Sequence, residues 1–473
     1  MRKYLLALAA GLLAASLAVP APAADFKYTG FFRLRGITAD NLDRNDNAGA
    51  HDGIQYYDSL MRPRFTATSE GGKIVSVYEL DFITGGNYVW GRETGRPGVG
   101  TNRWYFDFAV PGTTLRMKVG KDDYTDPTRE IFDSIGAHRQ HAIALYGKLF
   151  GPVELSFFNT TILDNTTGVT AGASRVGASD HDNYYLALKW QAAPQIAITP
   201  WAALNRRNTE NAAGTTGLEA YFIALHTQAK VGIMDLVVQG ILETGNAAQP
   251  TRTRRDAGDR DIDLEAWALM VRSWFTFGKL KVGLYLTMLT GDDDQVTATG
   301  NQAQQKDRQL TRFVFPSQDG AGYLEGPNIL TGRRWSTITA NNASGTNTTS
   351  NQRGIGTGTA TSPNGLIMPE ILLKYQLTPA LELEGGVSFV RSAKKAPDVG
   401  ATLDGPSAAA TTYDNSKNFG TAIEAGFRWS IYSQLRLNMV GSYLAAGDYG
   451  VVQGSGKAKD DAWAVYYELI HTW

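Results

Sequence analysis

The sequence predicts an all-β fold: a transmembrane antiparallel up-and-down β-barrel of about 18 strands, with 16 the other count the pattern admits. Three observations carry this. First, the final segment alternates strictly: Trp463, Val465, Tyr467, Leu469, His471 and Trp473 fall on one face, and Tyr466, Glu468, Ile470 and Thr472 on the other. A strand of this kind, with Tyr467, Leu469 and a final aromatic Trp473, is how such a barrel closes and presents itself for membrane assembly. Second, strand-length alternating segments recur along the chain, joined by short turns and long polar loops in turn. Third, the 51 Gly, 21 Tyr and 10 Trp suit turns, kinks and interfacial aromatic girdles. No stretch beyond the N-terminus is apolar for long enough to form a transmembrane helix.

At the N-terminus, Arg2 and Lys3 precede an apolar run from Tyr4 to Val19, and Ala21-Pro22-Ala23 fits an A-x-A cleavage site. Residues 1–24 therefore read as a secretory signal peptide and 25–473 as one barrel domain. The apolar run is short for an anchor, which takes about 20 residues.

The strands follow in order. Phe26, Tyr28, Phe32 and Leu34 alternate with Lys27, Thr29, Arg33 and Arg35. Tyr57, Met61, Phe65 and Ala67 alternate with Asp58, Arg62, Arg64 and Thr66. The turn Glu70-Gly71-Gly72-Lys73 leads into Ile74, Tyr78, Leu80 and Phe82, opposite Glu79 and Asp81. Trp104, Phe106 and Phe108 alternate with Arg103, Tyr105 and Asp107; Pro111-Gly112-Thr113 then turns into Leu115, Met117 and Val119, opposite Arg116 and Lys118. Further short turns fall near Gly151-Pro152, Ala192-Pro194, Val231-Gly232, Gly278-Lys279, Thr378-Ala380 and Tyr432-Gln434. Long loops are expected near 39–54, 87–100, 122–137, 165–182, 207–217, 246–260, 292–365, 393–417 and 447–460. Short turns belong on the periplasmic side and long loops outside, and an even strand count places both ends in the periplasm. A soluble sandwich would bury aliphatic residues on one face; here the apolar face carries Trp, Tyr and Phe near strand ends and the polar face carries Arg and Glu. The phase is ambiguous near 218–230 and 261–277. The loop 292–365, rich in Asn, Thr, Gly and Ser, is either an extracellular cap or a fold-in plug.

Charge excludes some partners. Without Arg2 and Lys3, the 45 basic residues become 43 against 46 acidic, which argues against nucleic acid. With no Cys, the chain has no thiolate zinc site, iron–sulfur cluster or C-x-x-C-H haem attachment, and no cofactor is expected.

Charges facing lipid are costly, so those at mid-strand polar positions should line the interior. The early strands offer Arg33, Arg35, Arg62, Arg64, Arg103, Arg116 and Lys118, together with the acidic Glu79 and Asp81. The last strands offer Glu370, Glu382, Glu384, Glu424 and Glu468, relieved by Lys374, Arg428 and Arg436. Closure sets a basic arc opposite or beside an acidic arc, with Glu468 near Arg33 and Arg35 across the seam. Such a wall can impose a transverse field on solutes, or it can be a set of structural ion pairs that stiffen the barrel. The loop Asp122 to Ala137 mixes apolar residues with charges and is the candidate for a constriction folded into the interior, a plain surface loop being the alternative.

Other features carry less. Asp292-Asp293-Asp294 could hold Ca²⁺ or Mg²⁺ or meet lipopolysaccharide through divalent ions, but no full calcium loop follows. His138 and His141 point to opposite faces of a strand and cannot share a metal there. Gly450 to Lys457 has the wrong glycine spacing for a phosphate loop, and Ala458 stands where Ser or Thr is needed. No G-x-S-x-G elbow and no His, Ser and acid set appears, so the chain is not expected to be an enzyme.

Over its whole mature length the chain resembles a Gram-negative outer-membrane porin, and more narrowly the alginate-export type of 18-stranded channels. The strand count, Phe32-Arg33-Leu34-Arg35 and Thr290-Gly291-Asp292-Asp293-Asp294 carry the resemblance. In that family an arginine-rich interior guides an anionic polysaccharide; the acidic arc departs from this. The expectation is a passive channel of the bacterial outer membrane for small polar or anionic solutes. Its expected partners are the lipid bilayer, lipopolysaccharide and the barrel-assembly machinery. The alternatives are a polymer-specific export or uptake channel and a sheath for a multihaem cytochrome. Whether the chain forms a homotrimer or takes a periplasmic or extracellular partner protein stays open.

Overall fold

The computed structural model describes residues 25–40, 54–89, 92–93, 98–127, 140–164, 179–211, 214–247, 262–291, 295–298, 302–305, 309–311, 365–394, 417–448 and 461–473. Eighteen of its strands form a closed antiparallel barrel. They are β1 Asp25–Asp40, β2 Ile54–Ser69, β3 Ile74–Val89, β4 Gly98–Ala109, β5 Leu115–Asp122 and β6 Gln140–Phe150. There follow β7 Val153–Asp164, β8 Ser179–Ala193, β9 Ile196–Asn211, β10 Gly214–Val231, β11 Met234–Ala247 and β12 Ile262–Phe277. The last six are β13 Leu280–Leu289, β14 Leu366–Thr378, β15 Leu381–Arg391, β16 Asn418–Tyr432, β17 Leu435–Ala446 and β18 Ala462–Thr472. Each pairs with its chain neighbour, and β1 pairs with β18. No strand of this ring is left with an unpaired edge, the condition a sheet must meet in hydrocarbon.

All eight short turns stand where the sequence puts them, and several are turned by glycine in the left-handed region: Gly71 (φ 66°), Gly112 (φ 75°), Gly151 (φ 47°), Gly232 (φ 58°) and Gly278 (φ 59°). The ambiguous segments near 218–230 and 261–277 are β10 and β12. Two expected loops are corrected. The span 207–217 is mostly strand, since β9 runs to Asn211 and β10 starts at Gly214. The span 87–100 is partly strand, with β3 reaching Val89 and Arg92–Glu93 folding back on Tyr88 and Val89. Polar side chains hide this, because a ladder needs only backbone donors and acceptors. Within 292–365, Gln295–Ala298 pairs with Gln302–Gln305, and Gln309–Leu310 lies parallel to β12. Residues 1–24, expected to be a signal peptide, and Asp292, Asp293 and Asp294 lie outside the described residues.

The outer surface inverts that of a soluble protein. Ile223 (61% exposed), Leu242 (64%), Leu225, Leu284 and Ile371 stand exposed in mid-strand, with Trp190, Trp429, Tyr432 and Trp463 nearer strand ends. In water each such side chain would forgo about 1.5–3 kcal/mol of burial. Against acyl chains, and with aromatic rings at the two interfaces, the arrangement is satisfied.

The seam is built from aromatic side chains laid over glycine. Gly30 and Trp473 exchange two backbone hydrogen bonds of 3.1 Å, and a Cβ on Gly30 would meet the Trp473 ring at 2.7 Å. Gly36 stands opposite Tyr467 in the ladder, and a Cβ there would run into the Tyr467 ring. Missing side chains on β1 thus make the recess that rings of β18 fill, the arrangement by which an aromatic residue compensates a strand glycine. Gly36→Val is expected to destabilise the barrel by about 1–3 kcal/mol through overpacking. The urea midpoint of loss of the heat-modifiable gel band checks it; an unchanged midpoint would show that the ring swings aside freely.

Candidate functional site

The residues that alternate with the lipid-facing set form the inner wall. On β6 to β12 this wall is mainly small and apolar: Ala142, Ala144, Ala187, Ala203, Ala220, Ala224, Ala266 and Ala268 are buried, with Phe158, Tyr185, Trp201 and Phe222 among them. On β1 to β5 it is charged; on β14 to β18 Glu370, Glu384 and Glu424 are buried among apolar residues such as Met368, Val390, Val440 and Leu444.

Arg62 on β2 reaches Asp81 on β3 with two hydrogen bonds, Nε to Oδ1 at 2.5 Å and Nη2 to Oδ2 at 2.8 Å, and lies 3.9 Å from Glu79. Its guanidinium also lies over the Phe31 ring at 5.2 Å. Arg64 donates to the Tyr105 hydroxyl at 3.2 Å. Arg103 on β4 lies 3.6 Å from Glu79 and 3.2 Å from Asp122, and also donates to Asp123. The register between β3 and β4 shifts after Glu79, which faces Arg103 while Leu80 faces Thr101. The extra residue, Asn102, is therefore turned inward beside Arg103, and it donates to Glu79. Arg116 donates to Asp107 at 2.8 Å, and Asp107 also accepts from Tyr146. Lys118 donates to Asp122 at 2.7 Å.

The acidic arc is held differently. Glu370 accepts from Ser388 at 2.9 Å and Glu424 from Ser442 at 2.9 Å. Glu384 lies 2.9 Å and Glu382 4.0 Å from Arg428. Glu468 accepts from Asn438 at 3.0 Å, faces Arg35 across the seam and lies 4.0 Å from Arg33. The wall is therefore less one-sided than the sequence reading: five carboxylates, those of Glu79, Asp81, Asp107, Asp122 and Asp123, sit among the arginines of β1 to β5. Charged groups of both signs continue across the closing strands.

The loop after β5 does turn inward over its described part. Tyr124 and Asp126 are buried, and the Tyr124 ring packs 5.6 Å from Phe158. Phe158 stacks on Tyr185 at 4.5 Å, and Tyr185 lies 5.6 Å from Trp201. Burial, with Asp122 nearby, raises the Tyr124 phenol pKa, so the hydroxyl stays protonated and donates to the Gly120 carbonyl at 3.1 Å. The rest of that loop, including His138, lies outside the described residues, and His141 is exposed on the lipid-facing side of β6. Among the described residues no group of three or more His, Asp or Glu side chains could hold a metal ion. The sequence reading set Tyr105 and Asp107 on the polar face without naming them as pore residues, and it missed Asn102 and Tyr146. Their parity shows that they face inward, but their partners depend on register.

A closed 18-strand barrel with an apolar exterior and an ion-paired interior defines the class: an outer-membrane β-barrel of porin architecture. No family model matches the chain, and no curated protein matches it. Among solved structures it is similar to OccK8 (OprE) of Pseudomonas aeruginosa, with a TM-score of 0.50 and 10% identity over 95% of this chain and 98% of that one. It is likewise similar to OccAB4 of Acinetobacter baumannii, with a TM-score of 0.50 and 8% identity over 96% of this chain and 100% of that one. At such identities the likeness is one of fold.

Proposed function

We propose that the protein is an outer-membrane channel through which small polar or anionic solutes diffuse, and that it carries out no catalysis. The observation that carries this reading is the inversion of the two faces: apolar side chains outside, and inside a wall where Arg33, Arg62, Arg103, Arg116, Lys118 and Arg428 stand beside carboxylates. Charged groups fixed at a wall replace part of the hydration shell of a passing solute and orient its dipole. The described part of the loop after β5 lies against this wall, with Tyr124 and Asp126 buried and the Tyr124 ring on Phe158. The lipid bilayer, lipopolysaccharide and the barrel-assembly machinery are the partners that belong with this reading, as does a signal peptide ending near Ala24. A polymer track of the alginate-export type is less well supported, because the arginines are interleaved with carboxylates rather than set in a one-signed row.

The test is conductance and reversal potential of the purified protein in a planar bilayer under a salt gradient. A steady open level is expected. Arg62→Ala with Arg64→Ala is expected to move the reversal potential toward cation preference, since Asp81 then loses the cation paired with it and Glu79 keeps only Arg103. An inserted barrel that passes no current would overturn the channel reading; a reversal potential unmoved by the double variant would remove these residues from the pathway.

A further inference from the structure

Lys118 is held in an unusual way for a basic residue on a channel wall. Its ammonium lies 4.8 Å from the centre of the Tyr105 ring, 5.6 Å from that of Tyr146 and 5.9 Å from that of Tyr124, while it donates to Asp122 at 2.7 Å. Three aromatic faces and one carboxylate around one ammonium make the arrangement that recognises alkylammonium ligands.

The local sequence explains how the pocket forms. Lys118, Gly120 and Asp122 are alternate residues of β5 and share the inner face. Gly120 leaves the space between the other two clear, so the lysine stem runs along the strand to the carboxylate. The glycine cannot be replaced: its φ is 132°, and a Cβ would run into the Trp104 carbonyl. On the neighbouring strand Lys118 faces Ala144, which leaves room on that side. Each ring is fixed by its own hydroxyl: Tyr105 accepts from Arg64 at 3.2 Å, Tyr124 donates to the Gly120 carbonyl at 3.1 Å, and Tyr146 donates to Asp107. Two rings come from the barrel wall, whereas Tyr124 comes from the segment that enters the interior beyond β5. The ammonium therefore meets that segment through the Tyr124 ring and anchors its first residue through Asp122 at the end of β5, while Arg103 holds Asp122 and Asp123.

We propose that Tyr105, Tyr124, Tyr146 and Asp122 form an alkylammonium-binding site whose resident guest is Lys118, and that this guest fastens residues 122–127 inside the barrel and so holds the passage in a narrow state. The proposal rests on the channel reading above. Removing the guest frees the segment, and a small free alkylammonium of matching length takes its place.

The experiment compares single-channel records of the wild type, Lys118→Ala and Lys118→Met, with and without n-propylammonium, which replaces the part of the lysine side chain beyond Cβ. Tetraethylammonium, too bulky for a site shaped around a primary ammonium, is the control. Time in a higher-conductance level is expected to rise about tenfold in both variants, the scale of losing a charge-assisted hydrogen bond with cation–π contacts. Millimolar n-propylammonium is expected to restore the wild-type record in Lys118→Ala and to leave the wild type unchanged. Tyr124→Leu is expected to open the channel in the same way but resist rescue. Unchanged conductance in both lysine variants, or opening that n-propylammonium does not reverse, would overturn the proposal. Heat-modifiability on gels shows that each variant is a folded barrel. If the wild type carries no current, the channel reading itself fails, an outcome distinct from either failure of the variants.

Discussion

Arg103→Met is expected to destabilise the barrel by about 3–5 kcal/mol, the range for removing one partner from a buried ionic cluster. Arg103 stands between three carboxylates, with Asp122 at 3.2 Å, Glu79 at 3.6 Å and Asp123 in direct hydrogen bond, while its own side chain is 22% exposed. Methionine keeps the volume of the stem and removes the charge. Lys118 then remains for Asp122 and Arg62 for Glu79, but Asp123 loses the cation paired with it. The residual wetness of the interior sets the effect toward the lower bound. Urea titration followed by tryptophan fluorescence, in detergent or lipid, measures it. Adding Asp123→Asn is expected to recover about half, because a neutral amide costs less to leave beside an apolar stem than a carboxylate does. If the single variant matches the wild type, the cluster is held by water rather than by the arginine.

Ile223→Arg is expected to cost about 2–4 kcal/mol, the penalty for a cation near the bilayer midplane on a barrel's lipid face. Ile223 lies in the middle of β10, 61% exposed on the outer side, with Leu225 and Tyr221 flanking it on the same face. The same change at Tyr432, 72% exposed at the β16 turn, is expected to cost under about 1 kcal/mol, because a long cationic side chain there reaches the interface. Matched urea titrations in lipid vesicles compare the two sites. Equal costs would mean that β10 does not cross the bilayer at the depth its register implies.

Much of this architecture was legible because two simple periods dominate the chain. Alternation assigned the faces of β1 and β18 correctly, and glycine at Gly71, Gly112, Gly151, Gly232 and Gly278 marked turns that need left-handed backbone. Strand ends were less legible. Asn208, Thr209 and Glu210 look like loop residues, yet they pair with Gly217, Thr216 and Thr215 because backbone groups complete the ladder whatever the side chains. The site was half legible for a related reason. Parity places Arg62, Arg103 and Lys118 on the inner face, but their partners follow from register. One inserted residue, Asn102, decides that Glu79 meets Arg103. The cluster around Lys118 was legible only in part: parity sets Tyr105 beside Arg103 and Asp107 on the inner face, but that Tyr105, Tyr124 and Tyr146 converge on one ammonium follows only from the fold.

The seam of Gly30 with Trp473 and Gly36 with Tyr467 has a temporal consequence. The first strand to be synthesised finds one of its two neighbours only in the last. Between those moments β1 has a free flank, and any partial sheet has a sticky border able to recruit another chain. Fast spontaneous closure would require the two most distant parts of the polypeptide to meet, the encounter most penalised by chain entropy. Until β18 and Trp473 reach β1, the chain carries an open border that only the seam can close.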